Sequence, residues 1–145
     1  MSVHFVFFDI GGTLGGYDPA GGRLIPYPDT PDLLARMRNV LKLRMGIITT
    51  LGTLSNNHGL RLLADAGLSE FFEEAAFVSE HDVNGQGKPS FVIYQFAAET
   101  VGARIEQCLF IGEDLVEVVG ALAAGMQAIL KPRPPAPPSK SPAPS

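Results

Sequence analysis

Short apolar runs of strand length alternate with helix-length amphipathic stretches from residue 3 to residue 130, and that alternation restricts the fold more than any other feature. Val3–Phe8 (VHFVFF) is β-branched and aromatic and stops at Asp9-Ile10-Gly11-Gly12. A helix is predicted over 31–42, with Thr30 as N-cap, Pro31 at the first helical position and Asp32 in the first turn. Leu33, Leu34, Met37, Val40 and Leu41 recur in it at helical spacing and predict a core-facing stripe. Met45–Ile48 then reads as a second strand, 54–66 as a helix closed by Gly67, and Ala75–Val78 as a third strand. Ser90–Val101 reads as a helix, Cys108–Ile111 as a strand, Leu115–Ala124 as a helix ended by Gly125, and Gln127–Leu130 as a short last strand. Strands in this rhythm pair in parallel through right-handed helical crossovers, so the expected fold is an α/β, Rossmann-like sheet of about five strands with helices on both faces.

Composition removes several classes of function. At 145 residues and 46% hydrophobic, the chain has material for one domain core, and its net charge of −4 argues against a nucleic-acid module, which needs a basic face. No apolar run reaches the length of a membrane span, and the first residues lack the cationic start of a secretory signal, so a cytoplasmic location is expected. A single cysteine, Cys108, cannot form an intrachain disulfide and reads as a small core residue. His4, His58 and His81 lack ligand spacing and read as surface or partly buried side chains. From residue 131 onward, seven of the twelve prolines fall in fifteen residues. The expected organisation is therefore a folded unit over 1–130 and a disordered Pro-rich tail over 131–145, or a docking peptide for a proline-recognising partner.

In parallel α/β sheets the ligand site lies beyond the carboxyl ends of the strands. Asp9 follows the first strand there, Thr49 the second, and Gly112-Glu113-Asp114 the fourth, while Lys88 precedes a helix between Gly87 and Pro89. Acids, a hydroxyl and an amine are thus expected on one sheet edge.

The order of these motifs resembles the haloacid dehalogenase (HAD) superfamily of hydrolases. Asp9-Ile10-Gly11-Gly12-Thr13-Leu14 looks like its first motif, Thr49 its second, Lys88-Pro89 its third, and Gly112–Glu117 its fourth. The resemblance implies that Asp9 is a nucleophile forming a covalent intermediate, that Thr49 bonds a phosphoryl oxygen, and that Lys88 neutralises the cluster. It implies Mg²⁺ held by Asp9, the Gly11 carbonyl and Glu113 or Asp114, with Thr13, Thr50 and Glu117 as secondary members of the site. A hard cation suits such an oxygen-only set. The implied activity is phosphate-ester hydrolysis through an aspartyl-phosphate, on a phosphorylated small molecule or macromolecule.

Two departures from the family stand out. Its phosphatases usually carry a second aspartate two residues after the nucleophile, to protonate the leaving oxygen, and here that position is Gly11. General acid–base catalysis is worth about 10²–10⁴-fold. The alternatives are therefore a catalytically weak binding or regulatory module and, third, a dehalogenase-like carbon–halogen hydrolase. The second departure is size. Residues 15–29 suffice only for a glycine-rich hairpin or loop and 51–87 for one helix and one strand, so no cap domain fits. An open site is expected, covered by a macromolecular substrate, a second copy of the chain or another partner.

Overall fold

The computed structural model describes residues 2–132. Of the Pro-rich tail expected over 131–145, residues 133–145 lie outside the described residues. Seven strands and four α-helices follow in the order β1 (Phe5–Phe8), β2 (Gly15–Tyr17), β3 (Leu24–Pro26), α1 (Thr30–Asn39), β4 (Arg44–Thr49), α2 (Asn56–Asp65), β5 (Phe77–Ser79), α3 (Phe91–Thr100), β6 (Cys108–Gly112), α4 (Leu115–Ala124) and β7 (Gln127–Leu130). Five of the strands form one parallel sheet in the order β5-β4-β1-β6-β7, while β2 and β3 form a separate antiparallel hairpin. No helix among the described residues is long and apolar enough to cross a membrane.

The period of two along β1 divides the core. Phe5 and Phe7 pack with Ile93, Tyr94 and Ala97 of α3 and Val118 and Ala121 of α4. Val6 and Phe8 pack on the other face with Leu34 and Met37 of α1 and Leu62 and Leu63 of α2. β1 is buried along its whole length because it lies in the middle of the sheet with helices above and below. Its register pairs Phe8 with Ile47 on one side and Ile111 on the other. The strand ends that follow are therefore level, which brings Asp9, Thr49 and Glu113 to one edge.

Several local expectations are corrected by tertiary contacts. Thr30 does not cap α1: Asp29 holds that position without a side-chain bond, and the Thr30 hydroxyl donates to the Leu14 carbonyl at 2.8 Å. α1 ends at Asn39 and buries Thr30, Leu34 and Met37, one stripe at i, i+4 and i+7, so Leu33, Val40 and Leu41 are exposed. β5 starts at Phe77 rather than Ala75, because Glu74–Ala76 forms a 3₁₀ turn closed by Ala76 N–H to the Glu73 carbonyl. Capping serines just outside α2 and α3 (Ser55 and Ser90) trim both helices relative to the predicted spans. α4 and β7 have the predicted bounds. Lys131, assigned by composition to the tail, belongs to the folded unit: its N–H donates to the Gly112 carbonyl and its ammonium to the Thr13 carbonyl, both at 2.8 Å.

No inserted domain interrupts the described residues. The segment after β1 makes only the β2–β3 hairpin, and that between β4 and α3 makes α2, β5 and short 3₁₀ turns. Among the described residues the fold is an α/β sheet without a cap.

Candidate active site

Asp9 follows the last residue of β1, and its N–H donates to the Ile111 carbonyl at 3.1 Å, so the neighbouring strand fixes its backbone. Three donors from separate segments converge on its Oδ1. The Ile10 N–H lies at 2.8 Å, the Thr49 hydroxyl at 3.4 Å and the Lys88 ammonium at 3.0 Å. Thr49 is buried at the end of β4. The loop behind it is held by Glu80, whose carboxylate accepts from the N–H groups of Leu51 at 2.8 Å and Gly52 at 2.9 Å. Thr50, the next residue, is exposed.

Lys88 sits in the turn that precedes α3, and only 1% of its side chain is exposed. It bridges two carboxylates, Asp9 at 3.0 Å and Glu117 at 2.7 Å, with its ammonium 5.3 Å from the centre of the Phe110 ring. A buried ammonium needs such partners, since an unpaired one would shed its charge or its place in the fold. Glu117 enters from the first turn of α4. That turn is set by Asp114, whose Oδ1 accepts from the Glu117 N–H, and by buried Tyr94, whose hydroxyl donates to the Glu117 carbonyl at 2.6 Å. Burial pushes the Glu117 carboxyl above its ordinary range; Lys88 pulls it down, and the Asp9 and Asp114 charges push it further up. One turn along α4, Gly120 lets the Lys88 segment dock: a Cβ there would meet Pro89 Cβ and its carbonyl oxygen at 2.7 Å.

The turn after Asp9 is the third component. Gly12 has φ +79°, a conformation open to glycine, and a Cβ on it would lie 2.5–2.9 Å from the side chain of Glu113. Glu113 therefore packs on the bare backbone of this turn. Asp9 and Gly11 beyond β1 and Glu113 beyond β6 offer oxygen donors only, the kind that a hard cation accepts. No group of three or more His, Cys, Asp or Glu side chains among the described residues is placed to hold a metal. Asp114, the alternative acid, is exposed and occupied with capping α4. Thr13 is buried, and its hydroxyl has no hydrogen-bond partner among the described residues.

A family model of haloacid dehalogenase-like hydrolases matches residues 5–125, a span that contains Asp9, Thr49, Lys88, Glu113 and Glu117. The chain belongs to this family. No curated protein sequence matches it. Among solved structures, an uncharacterized protein from Listeria monocytogenes serotype 4b is similar with a TM-score of 0.76 at 17% identity, covering 88% of this chain and 78% of that one. A HAD family hydrolase from Deinococcus radiodurans R1, with bound phosphate and sodium, has a TM-score of 0.62 at 22% identity, covering 87% and 79%. A HAD phosphatase from Thermococcus onnurineus has a TM-score of 0.62 at 27% identity; the match covers 72% of this chain and only 46% of that one.

Three features of this HAD-like site escaped the sequence reading. Lys131 contributes its ammonium to the far side of the motif-one turn, 4.8 Å from the centre of the Tyr27 ring. Gly120 admits the lysine turn, and its trace in the sequence is a glycine inside an otherwise uninterrupted helical pattern. Tyr17 leans over Gly11 from the hairpin, so that a Cβ at residue 11 would be 2.8 Å from Tyr17 Cε2. Burial raises the Tyr17 hydroxyl above its ordinary value, and the Asp9 charge adds to the rise. With Tyr27, Glu113, Gly11, Gly12 and Gly16 it lines a cleft of about 360 Å³. A second concavity of about 460 Å³, beside α2 and lined partly by Leu60, Leu63 and Phe72, contains none of the site residues.

Proposed function

We propose that the chain is a Mg²⁺-dependent phosphohydrolase that acts through an aspartyl-phosphate on Asp9. The observation that carries this reading is the convergence of Ile10 N–H, Thr49 and Lys88 on one oxygen of Asp9. Such a carboxylate is held in a single orientation before substrate arrives, and its other oxygen is the nucleophile. In the first step that oxygen bonds to phosphorus as the ester oxygen departs. In the second, water attacks the same phosphorus, and phosphate and Asp9 are released. The Lys88 ammonium offsets the charge that gathers where a carboxylate meets a phosphoryl group, and Glu117 keeps that ammonium in place. Asp9, the Gly11 carbonyl and Glu113 would hold the cation. When bound, Mg²⁺ supplies positive charge to the phosphoryl oxygens.

The open cleft admits a phosphorylated small molecule or a phosphate displayed on a macromolecule, with a second subunit or the substrate itself as the cover. The Deinococcus neighbour, of the same fold, carries bound phosphate and sodium. The test is hydrolysis of p-nitrophenyl phosphate with Mg²⁺ present and after chelation. Asp9→Asn is expected to lower turnover at least about 10³-fold, the scale of losing a covalent nucleophile. Turnover that survives Asp9→Asn refutes the mechanism.

The bare Gly11 supports a second reading, a module that binds phosphate or metal with little catalysis. Asp9-dependent turnover of a natural phosphomonoester retires it.

A further inference from the structure

Resting on the phosphohydrolase reading above, we propose that the Tyr17 hydroxyl is the proton donor to the leaving oxygen, filling from the hairpin the role for which Gly11 has no side chain. The space that a residue-11 side chain would occupy is already taken by this phenol. A Cβ built on Gly11 lies 2.8 Å from Tyr17 Cε2 and 3.5 Å from both Cζ and the hydroxyl oxygen. The ring thus fills the space of a residue-11 side chain, with the hydroxyl oxygen about 1 Å farther from that Cβ than an aspartate would carry its own oxygens.

The placement is built rather than incidental. Tyr17 is the last residue of β2 and pairs with Leu24 across the hairpin. The start of β2 is stitched to the motif-one turn by a bridge between Gly11 and Gly15 and by the Gly12 N–H donating to the Gly15 carbonyl at 2.9 Å. Gly15 itself lies so close to the Ile25 carbonyl that no side chain fits between them. Residue 17 is therefore carried over residue 11 by backbone geometry. Its ring lines the same cleft as Glu113, and 48% of the residue is exposed.

The chemistry balances. As the Asp9 oxygen bonds to phosphorus and the phosphorus–ester bond breaks, the departing oxygen keeps the bond's electron pair and takes the Tyr17 proton. The phenolate then accepts a proton from the water that attacks the aspartyl-phosphate. The phosphorus–Asp9 bond breaks, inorganic phosphate leaves, and Tyr17 and Asp9 return to their starting forms. A phenol helps a strongly basic alkoxide depart, and contributes little to a weakly basic nitrophenolate.

The experiment compares wild type, Tyr17→Phe and Asp9→Asn on p-nitrophenyl phosphate and on an alkyl phosphate, glycerol 3-phosphate, with Mg²⁺ present. Phenylalanine keeps the ring against Gly11, and far-UV circular dichroism verifies the fold. The expected result is a loss in kcat/KM of about 10²-fold or more for Tyr17→Phe on the alkyl ester, against less than about threefold on the aryl ester. Asp9→Asn is expected to abolish both. Asp9-dependent turnover in which Tyr17→Phe lowers both esters equally, or neither, overturns the role of Tyr17 and leaves the phosphohydrolase reading standing. No Asp9-dependent turnover of either ester overturns both.

Discussion

Lys88→Met removes the cation that Asp9 and Glu117 share while keeping a side chain of similar length. Both carboxylate oxygens lie on one ammonium, at 3.0 and 2.7 Å, so they are no more than about 6 Å apart. At an effective dielectric near 20, their unmasked repulsion is about 3 kcal/mol. Burial without a counter-ion adds to this, and the expected loss is about 3–5 kcal/mol near pH 8. Protonating Glu117 relieves it. Burial already raises that carboxyl in the folded protein, and Lys88 is the main counterweight, so its removal raises it further. A group with a raised folded value contributes its stability below the ordinary carboxyl value of 4.5 and loses it as pH rises through the folded one. The variant should therefore lose about 1 kcal/mol or less at pH 5 and most of the 3–5 kcal/mol by pH 8. The chain has no tryptophan, so urea unfolding is followed by far-UV circular dichroism. With a slope of about 1–3 kcal/mol per molar, the pH 8 midpoint should fall by at least about 1 M. A fall under about 0.3 M at pH 8, or equal losses at pH 5 and 8, refutes the shared-cation argument.

Gly120→Ala should separate activity from stability. Its Cβ would press on Pro89 at 2.7 Å and displace the Lys88 turn, while alanine in the helix returns up to about 1 kcal/mol. The expected result is a fall in kcat/KM of about tenfold or more with a melting temperature within a few degrees of wild type. Unchanged turnover would show that the turn tolerates the shift. Cys108 is fully buried, and burial pushes its thiol up to about 11. A disulfide reagent at pH 8 should label it only as fast as the protein unfolds, and rapid labelling of the native protein contradicts the burial.

The legible parts of this molecule are those written in local periodicity. Val6 and Phe8 face one side of the sheet and Phe5 and Phe7 the other, as a fully buried parallel strand requires, and α4 and β7 run between the residues that patterning predicts. Asp9 and Thr49 were expected on the sheet edge because each stands where a strand-length run stops, and Lys88 because its place in the motif order resembles the family's third motif. Thr30 was misread for a physical reason: capping signals describe local donors, and a distant carbonyl, that of Leu14, outcompetes them. Lys131 was misread because composition alone assigned it to the proline run, while a ladder-like bond to Gly112 keeps it in the fold. The pairing of Lys88 with Glu117 depends on how the turn before α3 docks against α4, and the position of Tyr17 on how the hairpin is tied to the motif-one turn. Neither can be read from spacing. Yet each of these approaches leaves a trace, because two segments can close to within 3 Å of a missing Cβ only where a glycine stands. Gly12 under Glu113, Gly120 under Pro89 and Gly11 under Tyr17 are three such places. In the sequence Gly11 is the absence of an acid, and in the fold it is the opening through which another proton-bearing side chain arrives.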